Sequence, residues 1–123
     1  PNKLKELDVY YCESFNQRLD FLPNKLRSLN LTKNKLNCSL DNLPNGLQSL
    51  SLIKCRSFKQ PLNHLPTELK TLKMEYCGSY TQPLNHLPTN LQKLVLTGRI
   101  TKKMEATIPP NIPNVIITKL KSK

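Results

Sequence analysis

The sequence predicts a solenoid of six parallel coils of about 22 residues each, with short parallel β-strands on its concave face and few or no α-helices. Two observations lead to this fold class. A proline-led leucine pattern recurs along the chain at spacings of 21 or 22 residues. Within every copy, a five-residue segment alternates polar and apolar residues, which is typical of a half-buried strand.

The repeat is clearest at residues 87–96, which have the sequence Leu-Pro-Thr-Asn-Leu-Gln-Lys-Leu-Val-Leu. The six coils begin at Pro1, Pro23, Pro44, Pro66, Pro88 and Pro109. Their apolar columns are Leu4, Leu26, Leu47, Leu69, Leu91 and Ile112; Leu7, Leu29, Leu50, Leu72, Leu94 and Val115; and Val9, Leu31, Leu52, Met74, Leu96 and Ile117. This period and leucine spacing predict one leucine-rich-repeat-like domain over residues 1–123, with a basic tail at 119–123. The first residue is a proline inside a repeat, so we expect the sequence to be a fragment of a longer chain.

One strand is predicted in each coil, at residues 6–10, 28–32, 49–53, 71–75, 93–97 and 114–118. The segments that return from one strand to the next contain Pro and Asn and show no 3.6-residue periodicity. We therefore expect extended or 3₁₀ structure on the convex side. In the returns, buried positions are predicted at Phe15, Leu36, Phe58 and Tyr80, and at Leu19, Leu40, Leu62 and Leu84, with Ile100 and Met104 as their equivalents in the fifth coil.

A further column follows the strands and completes the repeat: Cys12, Asn34, Cys55 and Cys77. In leucine-rich repeats this side chain turns inward and bonds backbone groups of neighbouring coils, so we predict a structural ladder of these four residues. Arg99 and Leu120 occupy the column in the last two coils and should interrupt the ladder. Buried, reduced cysteines favour an intracellular location, in the cytoplasm of the protein's own cell or of a host cell.

The returns resemble FNIP repeats, a leucine-rich-repeat variant of about 22 residues found in social amoebae and giant DNA viruses. The matching segments are Ser-Phe-Asn-Gln-Arg-Leu at 14–19, Ser-Phe-Lys-Gln-Pro-Leu at 57–62 and Ser-Tyr-Thr-Gln-Pro-Leu at 79–84, each followed by Leu-Pro. The resemblance covers residues 1–118 and is looser in the coils of Leu36 and Ile100. Many family members carry an F-box-like module, which implies substrate recruitment for ubiquitin ligation; this sequence contains no such module. The proline pattern is also similar to the repeats of secreted bacterial effectors, which lack the Phe-x-Gln-Pro-Leu return.

The leading functional hypothesis is a non-enzymatic module that binds a protein partner on the concave sheet face. Aromatic, charged and exposed apolar side chains discriminate between partners better than Ser or Thr do. The predicted contact residues are therefore Tyr10, Thr32, Ile53, Lys73, Glu75, Lys93 and Val95.

Binding of nucleic acid or another polyanion through basic edges is the alternative, because the chain carries a net charge of +11. Two partial basic columns flank the strands, namely Lys5, Arg27 and Lys70 before them and Lys33, Lys54 and Lys119 after them. End-to-end association of two copies is a further hypothesis, since the first and last coils lack obvious caps.

The sequence contains no motif for catalysis, a cofactor or a phosphate-binding loop, so no catalytic residue is predicted. His64 and His86 share the context Pro-Leu-Asn-His-Leu-Pro one coil apart and should stack about 5 Å from each other. Two nitrogens fall short of the three protein ligands that zinc sites use, so we predict no metal site. No apolar run is long enough to predict a membrane span.

Overall fold

The computed structural model describes residues 4–10, 22–33, 35–78 and 80–120. One strand forms per coil: Glu6–Tyr10 (β1), Ser28–Thr32 (β2), Ser49–Ile53 (β3), Thr71–Glu75 (β4), Lys93–Gly98 (β5) and Asn114–Lys119 (β6). The strands are parallel and pair in chain order in a single six-stranded sheet. The predicted parallel solenoid is confirmed, with β5 and β6 each one residue longer than expected.

The sheet register follows directly from the repeat length. Leu50 of β3 lies opposite Leu29 of β2 and Leu72 of β4, and each other strand residue likewise pairs with its counterpart one coil away. Because side chains alternate between the two faces of a strand, a slip by one residue would turn every leucine out of the core. The near-constant spacing of the prolines therefore fixes which residues lie on the outer face.

The core is complete in the middle coils and incomplete at both ends. Leu29, Leu50, Leu72 and Leu94 are fully buried, and burying a leucine side chain stabilises a fold by about 1.5–3 kcal/mol. Val115 holds the same position in β6 but is 38% exposed, because no described coil follows it.

The returns pack and hydrogen-bond from coil to coil in the same regular way. The rings of Phe58 and Tyr80 stack with their centroids 6.0 Å apart and their planes within 7°. The side-chain amide of Gln60 donates to the carbonyl oxygen of Asn37 at 3.1 Å, and that of Gln82 donates to Lys59 at 3.3 Å. Glutamine thus satisfies convex-side carbonyl groups that have no neighbouring strand.

One return contains a short helix, α1, at Lys102–Glu105. Thr101 caps it by accepting a hydrogen bond from the backbone N–H of Met104 at 3.0 Å, and Met104 is buried as predicted. The Thr107 hydroxyl then accepts from the backbone N–H of Leu84 at 2.8 Å, which ties this return to the previous coil. The helix has four residues, and no helix in the described ranges reaches the length and apolarity of a membrane-crossing segment.

The residue after the fifth strand position adopts a positive φ in four successive coils: Lys33 (54°), Lys54 (57°), Tyr76 (57°) and Gly98 (127°), of which Gly98 is itself the last residue of β5. The backbone N–H of Lys54 donates to the carbonyl of Glu75 in the next coil at 2.7 Å, and that of Tyr76 donates to Thr97 at 2.8 Å. The left-handed conformation therefore extends the interstrand ladder by one bond while it turns the chain into the return.

The C-terminal boundary differs from the predicted tail. Lys119, assigned above to the basic tail at 119–123, is the last residue of β6. Its ammonium group lies 2.7 Å from Oε1 of Glu105 in α1, and the backbone N–H of Leu120 donates to Gly98 at 2.9 Å. Residues 121–123 lie outside the described ranges.

Candidate functional site

The outer face of the sheet carries all seven residues predicted to contact a partner. Four of them, Tyr10, Thr32, Ile53 and Glu75, lie side by side in one row near the ends of β1 to β4. In the next row Lys73 lies opposite Val95, and in the third row Lys93 lies opposite Thr71. The parallel register therefore gathers residues from a span of 86 positions onto one surface.

This surface is uneven in depth. Tyr10 is 67% exposed, whereas the other six predicted residues are half-buried. Ser51 and Thr97 lie on the same face but are only 7% and 9% exposed, because longer neighbours cover them. The longer side chains therefore form the solvent-accessible part of this surface, and the small hydroxyl residues lie beneath them.

The charged groups of the face differ in how they are held. Oε2 of Glu75 accepts a hydrogen bond from the Thr97 hydroxyl at 3.1 Å, and Oδ1 of Asp8 accepts one from the Asn30 amide at 2.5 Å. The ammonium groups of Lys73 and Lys93 have no ion-pair or hydrogen-bond partner among the described residues. Two carboxylates are thus oriented by the sheet, while two cations remain available for a ligand.

Two residues of the predicted ladder, Cys55 and Cys77, lie between the coils. The Cys55 thiol donates to the carbonyl oxygen of Leu31 at 3.3 Å, and the Cys77 thiol donates to Leu52 at 3.2 Å. Hydrogen bonding to Cys55 and burial raise the pKa of the Cys77 thiol well above its ordinary value, so it stays protonated at neutral pH. Cys12 and Asn34, the other two predicted members, lie outside the described residues.

Each histidine ring contacts a polar side chain of the preceding coil. Nδ1 of His64 lies 3.4 Å from Oδ1 of Asp41, and Nδ1 of His86 lies 3.3 Å from Oδ1 of Asn63. Each contact spans one coil at equivalent repeat positions. Within the ranges that the structure describes, no three potential metal ligands among His, Cys, Asp and Glu converge.

A cleft that the sequence did not predict lies at the edge of the sheet where β4, β5 and β6 end. Its volume is about 310 Å3, and it is lined by Arg56, Tyr76, Gly78, Gly98, Arg99 and Leu120. Arg99 and Leu120 were expected only to interrupt the ladder. The sequence did contain one signal for the cleft. The adjacent residues Gly98 and Arg99 both differ from the residue types that occupy their columns in the preceding coils.

No protein-family model matches this chain, and neither a curated protein nor a solved structure is significantly similar to it. What the chain binds must therefore be inferred from its own surfaces. Two of these are candidates: the outer face of the sheet and the cleft beside it.

Proposed function

We propose that this chain is a non-enzymatic protein–protein interaction module that binds its partner on the concave outer face of the sheet. The observation that carries the proposal is the unbroken register of six parallel strands. That register holds Tyr10, Ile53, Lys73, Glu75 and Val95 in fixed relative positions without help from a ligand. A preformed surface loses little conformational entropy on binding, which favours affinity for a matching partner.

The chemistry of the face favours a protein over a small molecule. An exposed aromatic ring, half-buried aliphatic groups and charges of both signs are the elements from which protein interfaces are built. Six strands spaced about 4.8 Å apart, each with five residues of about 3.3 Å, give a face of roughly 400 Å2. A stable interface buries about 800 Å2 on each partner, so we expect the partner to extend over a sheet edge as well.

The basic edges give weaker support to polyanion binding. The two partial columns before and after the strands contain residues already engaged within the chain: Lys119 pairs with Glu105, and the Arg27 guanidinium donates to the carbonyl of Gly46 at 3.4 Å. Tyr76 and Gly98 interrupt the column after the strands, and Gln48 and Gln92 interrupt the column before them. A phosphate backbone would therefore meet an interrupted row of charges.

The resemblance to FNIP repeats adds a specific form of this proposal. By that resemblance the module would recruit a substrate for ubiquitin ligation inside a cell, with an F-box-like module supplied by another part of its protein. The hydrogen-bonded thiols of Cys55 and Cys77 fit a reducing compartment such as the cytoplasm.

Affinity purification from host-cell lysate tests the proposal. The chain is immobilised, the lysate is treated with nuclease or left untreated, and the resin is washed at low and at high salt. A discrete protein retained at high salt after nuclease treatment is the expected result, because contact with the mixed face depends only modestly on screening. Signal that is lost with salt or nuclease would instead assign the binding to the net charge of +11.

A further inference from the structure

The cleft beside the sheet collects the positions at which the repeat departs from its own columns. In the column after the strands, Gly98 follows Lys54 and Tyr76, and in the ladder column Arg99 follows Cys55 and Cys77. In coils three to six the ladder column holds Cys55, Cys77, Arg99 and Leu120. The side chains of Arg99 and Leu120 are exposed, whereas the two cysteines pack inward. Packing between coils accounts for the two cysteines, but it does not account for an exposed arginine in the same column.

Two glycines keep the cleft open. Gly98 has a φ of 127°, a conformation that side chains strongly disfavour, and a Cβ atom at this position would lie 3.5 Å from the backbone of Tyr76. At Gly78, a Cβ atom would meet no atom within 4 Å, so the space above the backbone is empty. An arginine stands at the position equivalent to Gly78 in the third coil, Arg56.

The lining has one sign of charge. The guanidinium groups of Arg56 and Arg99 are exposed, and neither has a partner among the residues that the structure describes. No Asp or Glu is among the described residues that line the cleft. Tyr76 and Leu120 supply apolar walls and are 39% and 48% exposed, so both are accessible to a ligand.

We propose that this cleft binds a phosphate monoester carried on an apolar stem, such as a phosphorylated side chain of a protein. Arg56 and Arg99 would donate charge-assisted hydrogen bonds to the phosphate oxygens, for which the planar guanidinium is well suited. Tyr76 and Leu120 would pack against the stem. The volume of about 310 Å3 lies at the small end of ligand pockets, which suits a single side chain better than a polymer.

This site is separate from the concave-face residues of the proposed function. It lies at the edge where the strands end, and it shares none of the seven predicted contact residues. Binding of a small phosphate ester to the cleft can therefore be measured in the absence of any protein partner on the concave face.

The test is titration of the isotopically labelled chain with phenyl phosphate, followed by NMR, at physiological salt. We expect saturable shifts at Tyr76, Gly78, Gly98 and Arg99 with a Kd of about 1 mM or lower, because two guanidiniums and an apolar wall act together. Inorganic phosphate and benzoate should each bind at least about fivefold more weakly, since one lacks the stem and the other the second charge. Equal affinity for inorganic phosphate would overturn the apolar part of the proposal, and equal affinity for benzoate would overturn the phosphate assignment.

Three variants, each lacking one positive charge, distinguish binding at a defined site from nonspecific electrostatic attraction. R56Q and R99Q should each weaken phenyl phosphate binding about tenfold, whereas R27Q, which alters an exposed arginine in the second coil, should change it less than about twofold. Equal losses in all three variants would show nonspecific attraction and overturn the proposal. R99K keeps the charge but loses the planar fork, so it should bind more weakly than the unaltered chain; unchanged binding by R99K would contradict recognition by the guanidinium.

Discussion

The Thr97 hydroxyl donates a hydrogen bond to Oε2 of Glu75, with 3.1 Å between the oxygens, across the pairing of β4 with β5. The bond holds the Glu75 carboxylate at the rim of the concave face, one row from the ammonium of Lys73, which has no partner in the part of the chain that the structure describes. Two opposite charges two residues apart on one strand thus differ in mobility: one is fixed by the sheet and the other is free to adapt.

Replacing both charges by alanine, in the double variant K73A/E75A, should abolish capture of the protein partner. Both side chains lie outside the apolar core, so the fold should persist; the only expected cost is the lost Thr97–Glu75 hydrogen bond, about 0.5–1.5 kcal/mol. Affinity purification and thermal unfolding measure the two effects. The matched control K59A/E68A removes one charge of each sign from exposed positions away from the sheet and should capture normally. Capture that survives K73A/E75A would exclude this part of the face as the contact.

The variant L72A should lower the free energy of unfolding by about 2–5 kcal/mol, because it leaves a cavity at a fully buried position between two coils. Urea unfolding followed by circular dichroism measures the change. V115A is the control, since Val115 holds the same column but is 38% exposed and should cost less than about 1 kcal/mol. Similar losses in the two variants would contradict a core that is complete only in the middle coils.

The positive φ values in the column after the fifth strand position predict that two substitutions change the free energy of unfolding in opposite directions. K54G should raise the free energy of unfolding by about 0.5–1 kcal/mol, because relief of the left-handed conformation exceeds the entropy cost of glycine. G98A should lower it by about 1–3 kcal/mol, since a φ of 127° is strained for any residue with a side chain. Urea unfolding of both variants provides the measurement, and a destabilised K54G would contradict strain at this column.

Stability should decline at alkaline pH. Hydrogen bonding and burial raise the pKa of Cys77, and burial raises the pKa of Tyr80, so folding favours the protonated form of both groups. The contribution is full below their ordinary values, near 9 and 10, and is lost as the unfolded chain releases these protons. The free energy of unfolding should therefore fall above pH 9, by at most about 1.4 kcal/mol per pH unit for each group.

Urea unfolding at a series of pH values tests this dependence. The variant Y80F should lose the part of the decline that begins near pH 10, because it keeps the stacked ring and removes the ionisable hydroxyl. C38S alters a thiol outside the ladder column and should keep the whole decline. A flat profile for the unaltered chain would contradict the stabilisation of the neutral groups.

The sheet was predictable from the sequence because its geometry depends on spacing alone. Once Leu50 and Leu72 fall in one column, their strands must pair in register, and the outer positions of Lys73 and Val95 follow. No knowledge of individual side-chain contacts was required. The same argument placed Cys55 and Cys77 between the coils.

Features that depend on a local exception were not predictable in this way. The helix α1 forms in a return whose good helix formers, Lys102 to Glu105, follow the capping residue Thr101; the search for a 3.6-residue period overlooks a segment of one turn. The positive φ values at Lys54 and Tyr76 leave no trace in composition, because neither residue type favours that conformation. The cleft was missed because Arg56 and Arg99 lie 43 residues apart and approach a common space only through coil stacking.

Pairing restricted to neighbouring strands determines how the chain opens. Among the described strands, β1 pairs only with β2 and β6 only with β5, and none of them contacts another across an intervening coil. Backbone amides should therefore exchange with solvent fastest in the outer strands and slowest in β3 and β4, because fraying begins at the ends. A partner lying across the whole concave face would touch coils that have no direct contact with one another. Its binding would couple their opening, so that a chain that frays gradually when free would unfold more cooperatively in the complex.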